Sequence, residues 1–294
     1  MNLAFRLKMA KQQAEAFLRE NGYSTLPIDP FVIAEKLDIV VQPKSDATDG
    51  VSGMLLRHGN NFGIMYATRY GNEGFERFSV AHEIAHFLLE GHIDHVLKNG
   101  EHYSHAGFTS SDPYEMEADS FAAGLLMPED LFKAALKKRD TDLATIEHMA
   151  SLCKTSITAT AIRCSEMAKD AVAIAISTGP TVDYCRLSEA MKTLPKLNWI
   201  KKGTPVPAGT ETAKLNADPL RVRAGDRAVS EIDVREWLGG TRSARITEEV
   251  VGLGRYGKAL TVLSSSSIGD EEAGYDDDHD DEQLQESWTP HFRK

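Results

Sequence analysis

Arg77-Phe78-Ser79-Val80-Ala81-His82-Glu83-Ile84-Ala85-His86-Phe87-Leu88-Leu89 is the stretch that orders the rest of this chain. On an α-helix, positions i and i+4 stand one above the other, so the His82 and His86 imidazoles can both reach one metal ion. Glu83 sits about 100° further round the helix. There its carboxylate can reach a metal-bound water without being a ligand itself. The flanking residues are largely apolar, which predicts a helix buried around the ion. A helix with two incidental histidines is the alternative, and a third donor elsewhere in the chain decides between them.

Moving outward, the 294 residues exceed the usual single-domain size and predict two domains. No run of apolar residues approaches a membrane span. Met1 to Gly22 reads as an amphipathic helix rather than a signal peptide, because Arg6, Lys8, Lys11, Glu15, Arg19 and Glu20 interrupt it. Cys153, Cys164 and Cys185 lack metal-type spacing and read as buried thiols of a reducing cytoplasm. The net charge of −11 is concentrated in Asp270–Glu286, which holds ten acidic residues and no Lys or Arg. The remainder is near neutral, which argues against a strongly basic nucleic-acid surface.

The expected class is α+β. A first, mainly helical domain with a small β-hairpin spans 1–165, and its last part is a helical hairpin over 129–168. A smaller α/β domain follows over 169–265, then an acidic, flexible tail over 266–294. Within the first domain a helix over Phe5–Glu20 stops at Asn21-Gly22, and Asp29-Pro30 caps a second. Ile39–Val41 reads as a strand, and Val51–Arg57 with Phe62–Ala67 reads as a hairpin. The metal helix runs over about 73–90, the polar stretch His92–Ser110 reads as a loop, and Asp112-Pro113 opens a helix to Leu126. Beyond Ala168, strands over Ala171–Ser177 and Val182–Arg186, with Trp199-Ile200, Arg221–Arg223, Glu231–Leu238 and Leu260–Leu263, mark the second domain.

Two segments compete to supply a third ligand. His92 has the spacing of metzincin proteases, but Leu89 stands where those need a glycine to turn the chain back. His92 therefore reads as an exposed loop residue. In the other segment, Glu115 and Asp119 share a helical face with Ala118 and Ala122, small residues that let this helix approach the first. Glu115 can then ligate while Asp119 fixes the tautomer of a ligand histidine. Two alternatives stay open: Glu115 also occupies a capping-box position behind Asp112, and Glu117 is a second acid that could ligate.

The run Arg77–His86, followed by Glu115-x-Glu117-Ala118-Asp119-x-Phe121-Ala122-Ala123-x-Leu125-Leu126-Met127-Pro128, resembles the ImmA/IrrE family of metallo-endopeptidases over about residues 25–165. The resemblance implies a zincin-like, gluzincin-type fold, one catalytic Zn²⁺ held by His82, His86 and Glu115, and Glu83 as base. It also implies a cytoplasmic protease whose partner is a helix-turn-helix repressor of the Xre type, cleaved to derepress mobile-element or stress genes. The Trp288-Thr289-Pro290-x-Phe292 segment resembles the end of some longer members.

A second donor for the developing oxyanion is expected, with Tyr114, His92, His95, His102 and His105 as candidates. Substrate is expected to add a strand along Val51–Arg57. A different class is carried alongside. Thr145–Ala150 and Lys154–Arg163 have helix-turn-helix spacing. Their few basic residues make direct DNA binding an unfavoured reading and leave a packed hairpin that contacts the repressor. A non-catalytic, protein-binding regulator is the third possibility.

Overall fold

The computed structural model describes residues 2–265 and 268, apart from 46–49, 70, 99, 106–109 and 138. The acidic run and the Trp288–Phe292 segment lie outside the described residues. The chain divides into two compact units, one built from Met1–Ala135 and Ala150–Ser156, the other from Leu136–Met149 and the described part of 157–279. The architecture is mixed α+β, as expected.

In the first unit, α1 (Leu3–Glu20) is capped by the Asn2 side chain, and α2 (Pro30–Lys36) by Asp29 with Pro30 at its start. β1 (Ile39–Lys44), β2 (Val51–His58) and β3 (Asn61–Ala67) lead into α3 (Glu73–Leu88), whose first turn is capped by Asn72. α4 (His92–Val96) and β4 (Glu101–His105) precede α5 (Pro113–Leu126), capped by Asp112. α6 (Glu129–Leu136) follows. The sheet order is β1-β3-β2-β4, parallel between β1 and β3 and antiparallel elsewhere.

Two expectations are corrected here. His92–Ser110 is not a loop throughout, since it holds α4 and β4. The strand was hidden because Glu101–His105 has no apolar alternation, and its pairing with β2 is what makes it a strand. For the same reason β2 cannot accept a substrate strand, because β3 and β4 occupy both its edges.

α3 lies on this sheet and packs against α5, which in turn packs against α1. The core is closed by Leu18, Ile33, Leu55, Ile64, Ile84, Phe121 and Leu125, all essentially inaccessible. Ala118 and Ala122 are fully buried on α5, and Gly124 lets that helix touch the Lys11 backbone of α1. Arg77, buried on α3, donates to the Ile28 carbonyl and lies 3.6 Å from Asp29, tying α3 to the segment that opens α2.

The next helices are α7 (Leu143–Cys153), which contributes to both units, and α8 (Ile157–Met167). The second unit is a five-stranded sheet in the order β6-β5-β9-β8-β7, all neighbours antiparallel. Its strands are β5 (Ala171–Thr178), β6 (Thr181–Leu187), β7 (Arg227–Asp233), β8 (Arg245–Gly252) and β9 (Ala259–Ser265). Short helices α9 (Glu189–Lys192), α10 (Glu211–Asn216), α11 (Pro219–Ala224) and α12 (Val234–Leu238) pack around it. β8 was not anticipated, because its buried face carries Glu248 in place of a hydrophobe. That carboxylate accepts from the backbone N–H groups of Glu211 and Thr212, the Thr212 hydroxyl and the Trp237 indole. Trp199-Ile200 belongs to no regular element. Among the described residues no helix is long and apolar enough to cross a membrane.

Candidate metal centre

α3 carries His82, Glu83 and His86 on its buried length, and α5 brings Glu115 against them. Nε2 of His82 lies 3.0 Å from Nε2 of His86, and the Glu115 carboxylate lies 3.3 Å from each ring. These three side chains form the one group of potential metal ligands found among the described residues. Tetrahedral zinc with bonds of about 2.0–2.1 Å places its ligand atoms about 3.3 Å apart. Each ring meets a different Glu115 oxygen at that separation, Oε2 for His82 and Oε1 for His86, and one ligand atom from each residue lies within 4.8 Å of the other two. The donors also suit it chemically: two imidazoles and one carboxylate leave a fourth position for water.

The remaining predicted residues fall into definite places. Asp119, one turn beyond Glu115, receives the Nδ1–H of His82 at 2.8 Å, as a tautomer-fixing carboxylate should. Glu115 points to the histidines rather than back to its own helix N-terminus, where Asp112 caps Tyr114 N–H. Glu117 turns to Arg6 and His92, outside the triangle. His92 is not an exposed loop residue: it is 2% exposed, with Nδ1 3.2 Å from Nδ1 of His86. Its environment comes from α3 and α5, remote in sequence, and no local pattern announced that burial.

Of the five candidates for a second donor, His102 on β4 reaches the centre, with Nε2 3.1 Å from Glu115 Oε1. Tyr114 instead stacks on His95 at 3.9 Å, and His95 pairs with Asp112. His105 is exposed at the end of β4. Glu83 is fully buried, and neither carboxylate oxygen makes a hydrogen bond of good geometry. Gly53 of β2 gives it room.

Electrostatics follow from this crowding. Burial raises the Glu83 pKa, while His82, His102 and, weakly, the Ser104 hydroxyl pull the other way. For His82, burial opposes the charged ring, but Asp119 and Glu115 outweigh it and push its pKa up to about 10. Burial carries His86 down to about 3. Burial also opposes the Glu115 charge, yet hydrogen bonds from His102, His82 and His86 hold it well below the usual carboxylate range. His82 thus faces a carboxylate from each ring nitrogen, Asp119 from Nδ1 and Glu115 from Nε2, and a divalent cation would displace the proton at Nε2 while Nδ1–H stays on Asp119.

Residues 34–165 match the family model described as Peptidase_M78, IrrE N-terminal-like domain. No curated protein matches the chain. Among solved structures, a Mycobacterium tuberculosis transcriptional regulator shares the fold with a TM-score of 0.53 at 14% identity, over 87% of this chain and 76% of that one.

Proposed function

We propose, from the match of residues 34–165 to the Peptidase_M78, IrrE N-terminal-like domain, that the protein is a zinc-dependent endopeptidase of the cytoplasm and a member of the ImmA/IrrE family. Its substrate in this reading is a helix-turn-helix repressor of the Xre type, cut to release mobile-element or stress genes. The observation that carries it is the His82–His86–Glu115 group, with the two Nε2 atoms 3.0 Å apart, a Glu115 oxygen 3.3 Å from each ring, and the fully buried Glu83 carboxylate on the same helix.

His82, His86 and Glu115 would hold the ion. When bound, it lowers the pKa of a water toward about 7 and polarises the scissile carbonyl. Glu83 accepts the proton of the attacking water and returns it to the leaving nitrogen as the C–N bond breaks. Its burial matters to that role, because a raised pKa brings a carboxylate nearer the operating pH of a general base. Asp119 keeps His82 in the tautomer that presents Nε2 to the ion. His102 serves as donor to the developing oxyanion from the strand along which substrate lies.

That strand is β4. It is the edge of its sheet, and among the described residues no strand pairs with its outer side, so an extended peptide can add there through backbone hydrogen bonds. Direct DNA reading by α7 and α8 is disfavoured. Arg163 is buried and paired with Glu166, and Lys154 pairs with Glu73. The deciding experiment mixes the purified protein and zinc with a purified Xre-type helix-turn-helix repressor from the same genome. Cleavage that a chelator abolishes and zinc restores is expected; an intact repressor after loading with stoichiometric zinc overturns the reading.

A further inference from the structure

His82 and His86 stand alike toward the metal site but differ in what lies behind them. Outer nitrogens of metal-bound histidines usually donate to a carboxylate, a carbonyl or water. His82 follows that habit with Asp119. Behind His86 stands another imidazole, His92, at 3.2 Å between the two Nδ1 atoms. Nε2 of His92 lies 3.2 Å from Glu117 Oε2. Glu117 is gripped by the Arg6 guanidinium of α1 through both oxygens, at 2.6 and 2.7 Å.

Hydrogen-bond chemistry allows this chain one consistent orientation when His86 presents Nε2 to an ion. Nδ1 of His86 then carries the hydrogen and donates to Nδ1 of His92. Nε2 of His92 must carry its own hydrogen and donate to Glu117, which accepts from Arg6 as well. Every donor meets an acceptor, and a fixed charge terminates the line.

We propose that Arg6, Glu117 and His92 form a positioning relay that sets the tautomer and ring orientation of His86, making α1 a structural part of the metal centre. This rests on the zinc reading of the triangle. It also extends the centre beyond the matched family region, since Arg6 precedes residue 34. His92 thereby acquires a role different from the ligand and the loop residue that its spacing suggests. The ring of Tyr114, 5.0 Å from His92 between centroids, and the Arg6 guanidinium over that same ring at 5.3 Å, hold the relay laterally.

The test is a zinc dissociation constant, measured on the full chain by competition with a chromogenic chelator at fixed pH, with near-ultraviolet circular dichroism reporting the fold. His92→Phe keeps the aromatic packing and removes both hydrogen bonds, and is expected to weaken zinc about 10–100-fold. His92→Gln restores binding to within a few-fold, because its amide oxygen accepts from His86 and its NH₂ donates to Glu117. Arg6→Met, on a half-exposed side chain, weakens zinc by a smaller factor and covers the case in which His92→Phe fails to fold. Wild-type affinity in His92→Phe, or in Arg6→Met where the former does not fold, overturns the relay. So does equal weakness of the Phe and Gln variants. A wild-type chain without zinc affinity overturns the metal centre itself, so the two failures are distinct; cleavage enters neither.

Discussion

Gly53 of β2 and Glu83 of α3 are fitted to each other: a Cβ added at Gly53 would stand 2.5 Å from Glu83 Oε1. The glycine therefore sets how closely the proposed base approaches the sheet. Gly53→Ala is expected to push the Glu83 carboxylate aside and cut cleavage by about 10²-fold, while zinc content is unchanged. Overpacking should also cost about 1–3 kcal/mol in denaturant unfolding. Wild-type cleavage by this variant would remove Glu83 from the proton-transfer role.

Glu83→Gln separates binding from chemistry. The amide keeps the shape but accepts no proton, so the rate should fall about 10²–10⁴-fold. Zinc content, measured by atomic emission, should match wild type, because Glu83 is outside the donor triangle.

Glu115 and Asp119 are neighbours on one face of α5 with unequal tasks. Glu115→Ala removes one of three donors and should abolish stoichiometric zinc binding after dialysis. Asp119→Asn leaves the triangle complete and weakens the hold on His82, so affinity should drop about 10–100-fold. Equal losses in the two variants would contradict this division of labour.

His102→Phe tests the donor assigned to β4. Zinc should stay bound, since His82, His86 and Glu115 remain, while kcat falls about 10²–10³-fold with KM little changed. A change confined to KM would make His102 a substrate-binding residue instead.

Cys185 on β6 retains some exposed surface, yet its thiol packs against the core of the second unit and burial pushes its pKa up to about 12. At pH 8 the native thiol should react with iodoacetamide far more slowly than in the unfolded chain, a difference that mass spectrometry of labelled peptides will show. The sign for stability follows. Below the ordinary thiol pKa of 9.0 both states are protonated, whereas between 9.0 and about 12 only the unfolded chain ionises. Stability should fall as pH rises through that window.

Much of this architecture was legible locally. The i, i+4 histidines of α3, the Asp29-Pro30 and Asp112-Pro113 helix starts, and the turn-rich His58-Gly59-Asn60-Asn61 that joins β2 to β3 are short-range signals, set by helix geometry, capping and turn chemistry. β8 was lost to view because Glu248 interrupts its buried face, and that carboxylate is acceptable there only through N–H groups from α10 and the Trp237 indole. β4 was lost because a short polar strand owes its existence to its partner rather than to its own pattern.

The same division holds at the metal centre. Amino-acid order alone dictated that His82 and His86 share a helical face with Glu83 beside them, because 3.6 residues per turn leaves no other outcome. That Glu115 joins them, that Glu117 turns away to Arg6, and that His92 is buried behind His86 were decided by packing. Each depends on how closely α1, α4 and α5 settle against α3, a distance set by Ala118, Ala122 and Gly124 acting across stretches of chain that no local pattern spans.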